Sequence, residues 1–134
     1  MKLSKKGEYA LRAMVRLALH YHKGPVRISA IAEMEKIPKK FLEGILVELK
    51  SAGLVQSTRG IAGGYELCRS PGKISLAEVI RIVNGPLAPL GCVSRYAHEN
   101  CPEEKNCRLR RVMQDVRTAI VGVLEKVTFA DICK

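Results

Sequence analysis

Apolar residues recur at helical spacing from the start of the chain. Ala10, Ala13, Met14, Leu17, Ala18 and Tyr21 follow the i, i+3, i+4, i+7 rule of a single helix face, with Ser4 placed to cap the start and Gly24-Pro25 to stop the run. A short second helix, "AIAEMEK", is expected next, with Ser29 as its N-cap. Pro38 suits the first turn of a third helix, where a proline forfeits no helical hydrogen bond. Leu42, Ile45, Leu46 and Leu49 form that helix's apolar face, and Gly53 ends it.

The period then changes. "LVQST" and "YELCR" read as two strands joined by the glycine-rich turn "RGIAGG", a hairpin directly after two short helices linked by a tight turn. That order predicts a helix-turn-helix followed by a wing. Ser75 and Glu78 form an S-x-x-E capping box for a helix with Leu76, Val79, Ile80 and Val83 on one face, closed by Asn84-Gly85. Residues 86–106 contain Pro86, Pro89, Gly91 and Pro102 and are read as irregular. Beyond them Leu109, Met113, Val116, Ile120, Val123 and Val127 alternate spacings of four and three, a heptad seam suited to a partner helix. The fold expected is mainly α with a small β-hairpin wing: a winged helix-turn-helix over 1–85, a cysteine-containing loop over 86–106, and a long dimerisation helix with a C-terminal tail over 107–134.

Charge gives this architecture a partner. Of the 134 residues, 23 are Lys or Arg and 13 Asp or Glu, a net charge of +10. The front is the electropositive part: residues 1–70 carry 13 basic against 6 acidic side chains, residues 71–134 carry 10 against 7. A basic domain of this shape points to double-stranded DNA. Lys39 and Lys40 begin the third helix, where a recognition helix meets the major groove. Arg59 stands at the hairpin tip, placed for the minor groove, and Ser57 and Thr58 are candidate phosphate contacts. The competing reading makes the lysines a solvated helix face and Gly63-Gly64 an ordinary turn; the order of the features along the chain favours DNA. A winged helix that binds a protein partner instead is the alternative from another class. No nucleophile–base pairing, phosphate-binding glycine motif with Lys-Ser/Thr, or paired carboxylates stands out, so the chain is read as a non-enzyme. It has no apolar run of membrane-spanning length and no signal-peptide pattern, which places it in the cytoplasm.

The stretches "KGEYALRAMVRLA", "ISAIAEMEKIPKKFLEGILVELKSAGLV" and above all "TRGIAGGYEL" resemble the Rrf-two family of bacterial winged helix-turn-helix transcription regulators. The resemblance covers nearly the whole chain. It implies a homodimer built on the long C-terminal helix and bound to a pseudo-palindromic operator. It also implies that Pro38, Lys39, Lys40 and Phe41 enter the major groove, while Arg59 with Gly60, Gly63 and Gly64 forms the minor-groove wing.

Cys92, Cys101 and Cys107 lie in the loop with spacing C-x8-C-x5-C. Thiols in a reducing compartment more often hold metal or sense redox state than form disulfides, and such spacings can hold an iron-sulfur cluster or zinc. Inert thiols or a bare thiol switch are the other readings. Family members that sense through a cluster carry three cysteines here at a spacing similar to C-x5-C-x5-C, so this loop is longer by three residues. The resemblance favours an iron-sulfur cluster, two-iron or four-iron, over zinc. It places a fourth ligand at Glu8, which matches an acidic position that reaches across the dimer; in other members a histidine three residues past the last cysteine serves, and here that place is Arg110, which has no acceptor. His98 is the rival, since the loop also reads C-x5-H-x2-C-x5-C. Cys68 and Cys133 are not expected to be ligands, and His20 and His22 suit a helix C-terminus.

Overall fold

Local capping starts the first helix where the sequence places it. In the computed structural model, which describes residues 2–134, the Gly7 amide donates to Ser4 Oγ at 3.0 Å and α1 runs Lys5–Leu19. Helices α2 (Ile28–Glu35) and α3 (Lys39–Ser51) follow, then strands β1 (Val55–Thr58) and β2 (Gly64–Leu67), α4 (Leu76–Val83), α5 (Arg108–Lys126) and α6 (Phe129–Ile132). The strands pair antiparallel, Val55 opposite Leu67 and Thr58 opposite Gly64. The mainly α fold with a hairpin wing is what the sequence pattern predicts.

Three local expectations are corrected. Ser29 does not cap α2; Arg27 occupies the N-cap position with no side-chain cap bond. The cause is the preceding residue: the Val26 amide donates to the Tyr65 carbonyl and the Tyr65 amide to the Val26 carbonyl, both at 2.8 Å, so the chain leaves this pairing straight into the helix. Pro38 stands at the N-cap of α3 rather than inside its first turn: its carbonyl accepts from the Leu42 amide at 3.0 Å and the helix begins at Lys39, while the left-handed Lys36 (φ 54°) ends α2 before it. The capping box of α4 is half formed: the Glu78 amide donates to Ser75 Oγ at 3.2 Å, but the Glu78 carboxylate instead accepts from Arg69 at 2.5 Å.

The main core joins Met14 and Leu17 of α1, Ile31 of α2, Leu42, Ile45, Leu46 and Leu49 of α3, Leu54, Val79, and Phe129, all essentially inaccessible. Burying ten such side chains at about 1.5–3 kcal/mol each is the main drive for assembling α1 to α4. Phe129 is the surprise, since it lies in the stretch read as a tail. The Leu76 amide donates to the Val127 carbonyl (3.0 Å) and the Phe129 amide to the Ile74 carbonyl (3.2 Å), which sets the ring into the N-terminal core. A complete capping box on Thr128 and Asp131 starts α6. The Thr128 backbone N–H, then its hydroxyl, hold the Asp131 carboxyl below the usual carboxylate range.

A second, smaller cluster of Ala77, Ile80, Leu87 and Val121, with Leu3, Leu11, Ile120 and Leu124 around it, packs α5 onto α1 and α4. The heptad seam therefore divides. Ile120 packs toward the core at the edge of the seam, while Leu109 (64% exposed), Val112, Val116 and Val123 (61% exposed) form an open apolar stripe alongside it on α5.

Two measurements check the role of the C-terminal turn. Phe129→Ala is expected to lower unfolding free energy by about 3–5 kcal/mol in urea titration; a loss below about 1 kcal/mol would make the anchor dispensable. Because the folded Asp131 pKa is depressed, its contribution is present above the ordinary aspartate range and is lost as the pH falls through the lower folded value. Near-ultraviolet circular dichroism of the Phe129 environment in acid should report loosening that Asp131→Asn shows already at neutral pH.

Candidate functional site

The wing and the two helix-turn-helix N-termini share one open cleft. Lys39, Ser57, Thr58, Arg59, Gly60, Gly63 and Gly64 line it, together with Arg27, Ile28, Ser29 and Tyr65. Seven of the ten expected DNA contacts are thus brought together. Lys40 and Phe41 face a neighbouring depression with Lys6, Gly44, Ile45 and Glu48, where the Phe41 ring meets Tyr9 edge-on at 5.5 Å. Pro38 lies on the turn before them.

The geometry of the wing explains its glycines. At Gly64 (φ 150°) an added Cβ would run into the Val26 backbone, and at Gly63 into the Thr58 carbonyl. Only a residue without a side chain allows β2 to pair with β1 on one side and Val26 on the other. The tip beyond this base is open, with Ile61 92% exposed.

Two contributors were missed in the sequence. Arg27, exposed at the N-cap of α2, donates to the Ile61 carbonyl and so links the helix-turn-helix to the wing tip. Lys50, at the far end of α3, donates to Ser57 Oγ at 2.8 Å. A basic residue directly before a helix was the available signal for Arg27; nothing local marks Lys50. Neither α2 nor α3 has a side-chain cap, so their first amides remain free to meet an anion. With Arg27, Lys39 and Arg59 around it and no carboxylate in its lining, the cleft is electropositive.

The cysteine loop lies against α5. Cys92 sits half-buried in a 3₁₀ turn, Gly91–Val93; Cys101 is exposed; Cys107 is the half-buried N-cap residue of α5. Arg110 donates to the Cys92 carbonyl (3.3 Å) and Arg117 to the Val93 carbonyl (2.9 Å), which fixes the first part of the loop on the helix. His98 Nε2 lies 2.6 Å from a Glu104 oxygen, and Glu8 is paired with Arg12 at 2.8 Å and Lys5 at 3.5 Å. In kind, three free thiols suit a thiolate-held group. In position, no three Cys, His, Asp or Glu side chains converge on one metal-sized point among the described residues, and both candidate fourth ligands already have partners. Cys133 is held apart from these: its thiol faces the Val15 carbonyl and burial pushes its pKa up. Cys68 is exposed beyond β2.

A sequence model of the Rrf2 family, described as iron-dependent transcriptional regulator, matches residues 3–134. The chain belongs to the Rrf2 family. Among its relatives, an rrf2-like helix-turn-helix-type transcriptional regulator of Rhodobacter capsulatus is 37% identical over 135 residues, covering 96% of this chain and 90% of its own. Of solved structures, CymR, described as the global cysteine regulator of Bacillus subtilis, superposes with a TM-score of 0.82 at 32% identity, covering 99% of this chain and 96% of its own. IscR of T. potens gives 0.80 at 33% identity over 98% and 85%. The family's winged helix-turn-helix is therefore the fold of this chain, and a transcription regulator is its class. No helix among the described residues is long and apolar enough to cross a membrane.

The cleft makes a quantitative prediction. Arg59→Ala should weaken binding to a duplex and reduce the slope of log affinity against log salt by about 0.9, the loss of one phosphate contact. Fluorescence anisotropy across a salt series measures it; an unchanged slope and affinity would remove Arg59 from the interface.

Proposed function

We propose that this Rrf2-family chain is a cytoplasmic homodimeric regulator that binds an operator through the cleft of Arg27, Lys39 and Arg59 and senses redox, nitric oxide or iron-sulfur status through the loop of Cys92, Cys101 and Cys107. The observation that carries the DNA reading is the convergence of two uncapped helix N-termini, a glycine-based wing and three cationic side chains on one cleft free of carboxylates. Lys39 and its neighbours Pro38, Lys40 and Phe41 would address the major groove, and Arg59 the minor groove. The division into a DNA-binding part over 1–85, a sensing loop over 86–106 and a pairing segment over 107–134 is part of this proposal.

The sensing half rests on the placement of the loop. A cluster held by the three thiolates, with Glu8 or His98 as a further ligand, would supply a redox- and nitric-oxide-reactive group. The chain's own residues carry a change in that loop inward: Arg110 and Arg117 hold it to α5, and Arg81 of α4 pairs with Glu125 of α5 at 2.7 Å. Helix α4 packs on α1 and α3, so a shift of α5 reaches the helix that begins at the cleft. The dispersed thiols favour a second reading, regulation by thiol chemistry or zinc without a cluster; a cysteine-linked signal of the kind named for CymR falls under it.

Anaerobic absorption spectra with iron, sulfide and zinc analysis separate the two. Charge-transfer bands with matched iron and sulfide, abolished in Cys92→Ala, are expected for the cluster; stoichiometric zinc or metal-free protein after reconstitution would establish the second reading. For pairing, Val123→Asp on the open α5 stripe should convert a dimer to a folded monomer in sedimentation velocity, since the side chain touches little within its own chain. A dimer unaffected by this change would place the contact elsewhere.

A further inference from the structure

A cleft of ≈180 Å³ lies between α4, the cysteine loop and α5; it shares no lining residue with the cleft at the wing and none of the cysteines lines it. Three arginines are among the residues that line it: Arg81 from α4, Arg95 from the loop and Arg117 from α5. No carboxylate is among the lining residues. Arg81 lies with its guanidinium 4.8 Å from the centre of the Tyr96 ring, and its charge is shared with Glu125. Arg117 uses Nη1 to hold the Val93 carbonyl and Nη2 to reach Thr118, while its Nε is buried and meets no acceptor in the protein. Pro86, Leu87 and Val121 give the lining an apolar share.

We infer that this cleft binds a small oxyanion borne on a short carbon skeleton, a carboxylate or a phosphate, with Arg95 and Arg117 as its anchors, and that the protein therefore has an effector site separate from its thiols. Guanidinium groups match both oxyanions through paired N–H donors. The apolar share of the lining gives the carbon skeleton a surface that a bare inorganic ion would leave unused. The position also has a consequence for regulation. Arg81, Arg95 and Arg117 stand on three different segments, so an anion bridging them would fix α4, the loop and α5 relative to one another, as a first ligand does in a coupled system.

Isothermal titration of the full-length protein tests this with succinate and inorganic phosphate as separate probes, each against chloride at matched ionic strength. Saturable binding of at least one probe is expected at one site per chain. Arg95→Gln and Arg117→Gln should each weaken it at least about tenfold, the scale of one charged hydrogen bond. Arg59→Ala, in the DNA cleft, should leave it unchanged. Tighter binding of phosphate marks a phosphorylated ligand, and of succinate a carboxylate. Absence of saturable binding by either probe overturns the proposal, as does binding that survives Arg95→Gln or is lost in Arg59→Ala. Arg95 is exposed, so its variant decides the matter even where removal of Arg117 disturbs the loop. The titration contains no DNA and requires no cluster, so its failure is distinct from failure of the regulatory reading.

Discussion

Two backbone hydrogen bonds, Leu76 to Val127 and Phe129 to Ile74, determine where the second half of the chain can go. They join the entrance of α4 to the exit of α5 and drive Phe129 into a core otherwise built from residues 10–83. With its C-terminal end pinned there, α5 must cross α4 and α1 through Ile120, Val121 and Leu124. That crossing fixes which side of α5 remains open and where the cysteine loop lies. Without the anchor, nothing in α5's own sequence selects which part of its broad apolar arc is buried.

The molecule separates its charges by role. The cationic side chains of the cleft beside the wing have no acidic neighbours in its lining, whereas others that bridge elements are matched: Arg16 with Glu35 at 2.6 Å, Lys6 with Glu48 at 2.7 Å, Arg81 with Glu125. Exposed pairs of this kind contribute little stability individually. Their effect is geometric, since each spans two elements and fixes their register. Arg110 and Arg117 do the same with backbone carbonyls, which gives an otherwise irregular loop two fixed points.

The sequence made much of this legible. Helical periodicity located α1, α3, α4 and α5, and the R-G-x-x-G-G-Y stretch located the wing, because both signals come from local constraints that any fold must satisfy. What escaped depended on distant partners. Ser29 looked like a cap because capping is local, but the pairing of Val26 with Tyr65 set the start of α2 from the far side of the wing. Phe129 lay in a short segment with too few residues to show a period. The seam on α5 was read as one stripe, and only the anchoring at its end reveals that Ile120 turns inward while Val116 and Val123 do not. Among site residues, Lys39, Ser57, Thr58, Arg59 and the glycines came together as expected from their order, while the bond from Arg27 to Ile61 spans a separation no pattern could connect. The thiols were easy to notice in the sequence, yet spacing carries no information on the paths of the intervening residues.

The base and the tip of the wing live under different rules. Gly63 and Gly64 are held by backbone on all sides, so almost any replacement there disturbs the hairpin itself. The Ile61 side chain, a few residues away, is almost fully exposed, and only the residue's backbone carbonyl is engaged, by Arg27. Mutation can therefore explore the tip at little cost to folding, so sequence variation in the wing can collect at its end while the base that carries the hairpin stays the same.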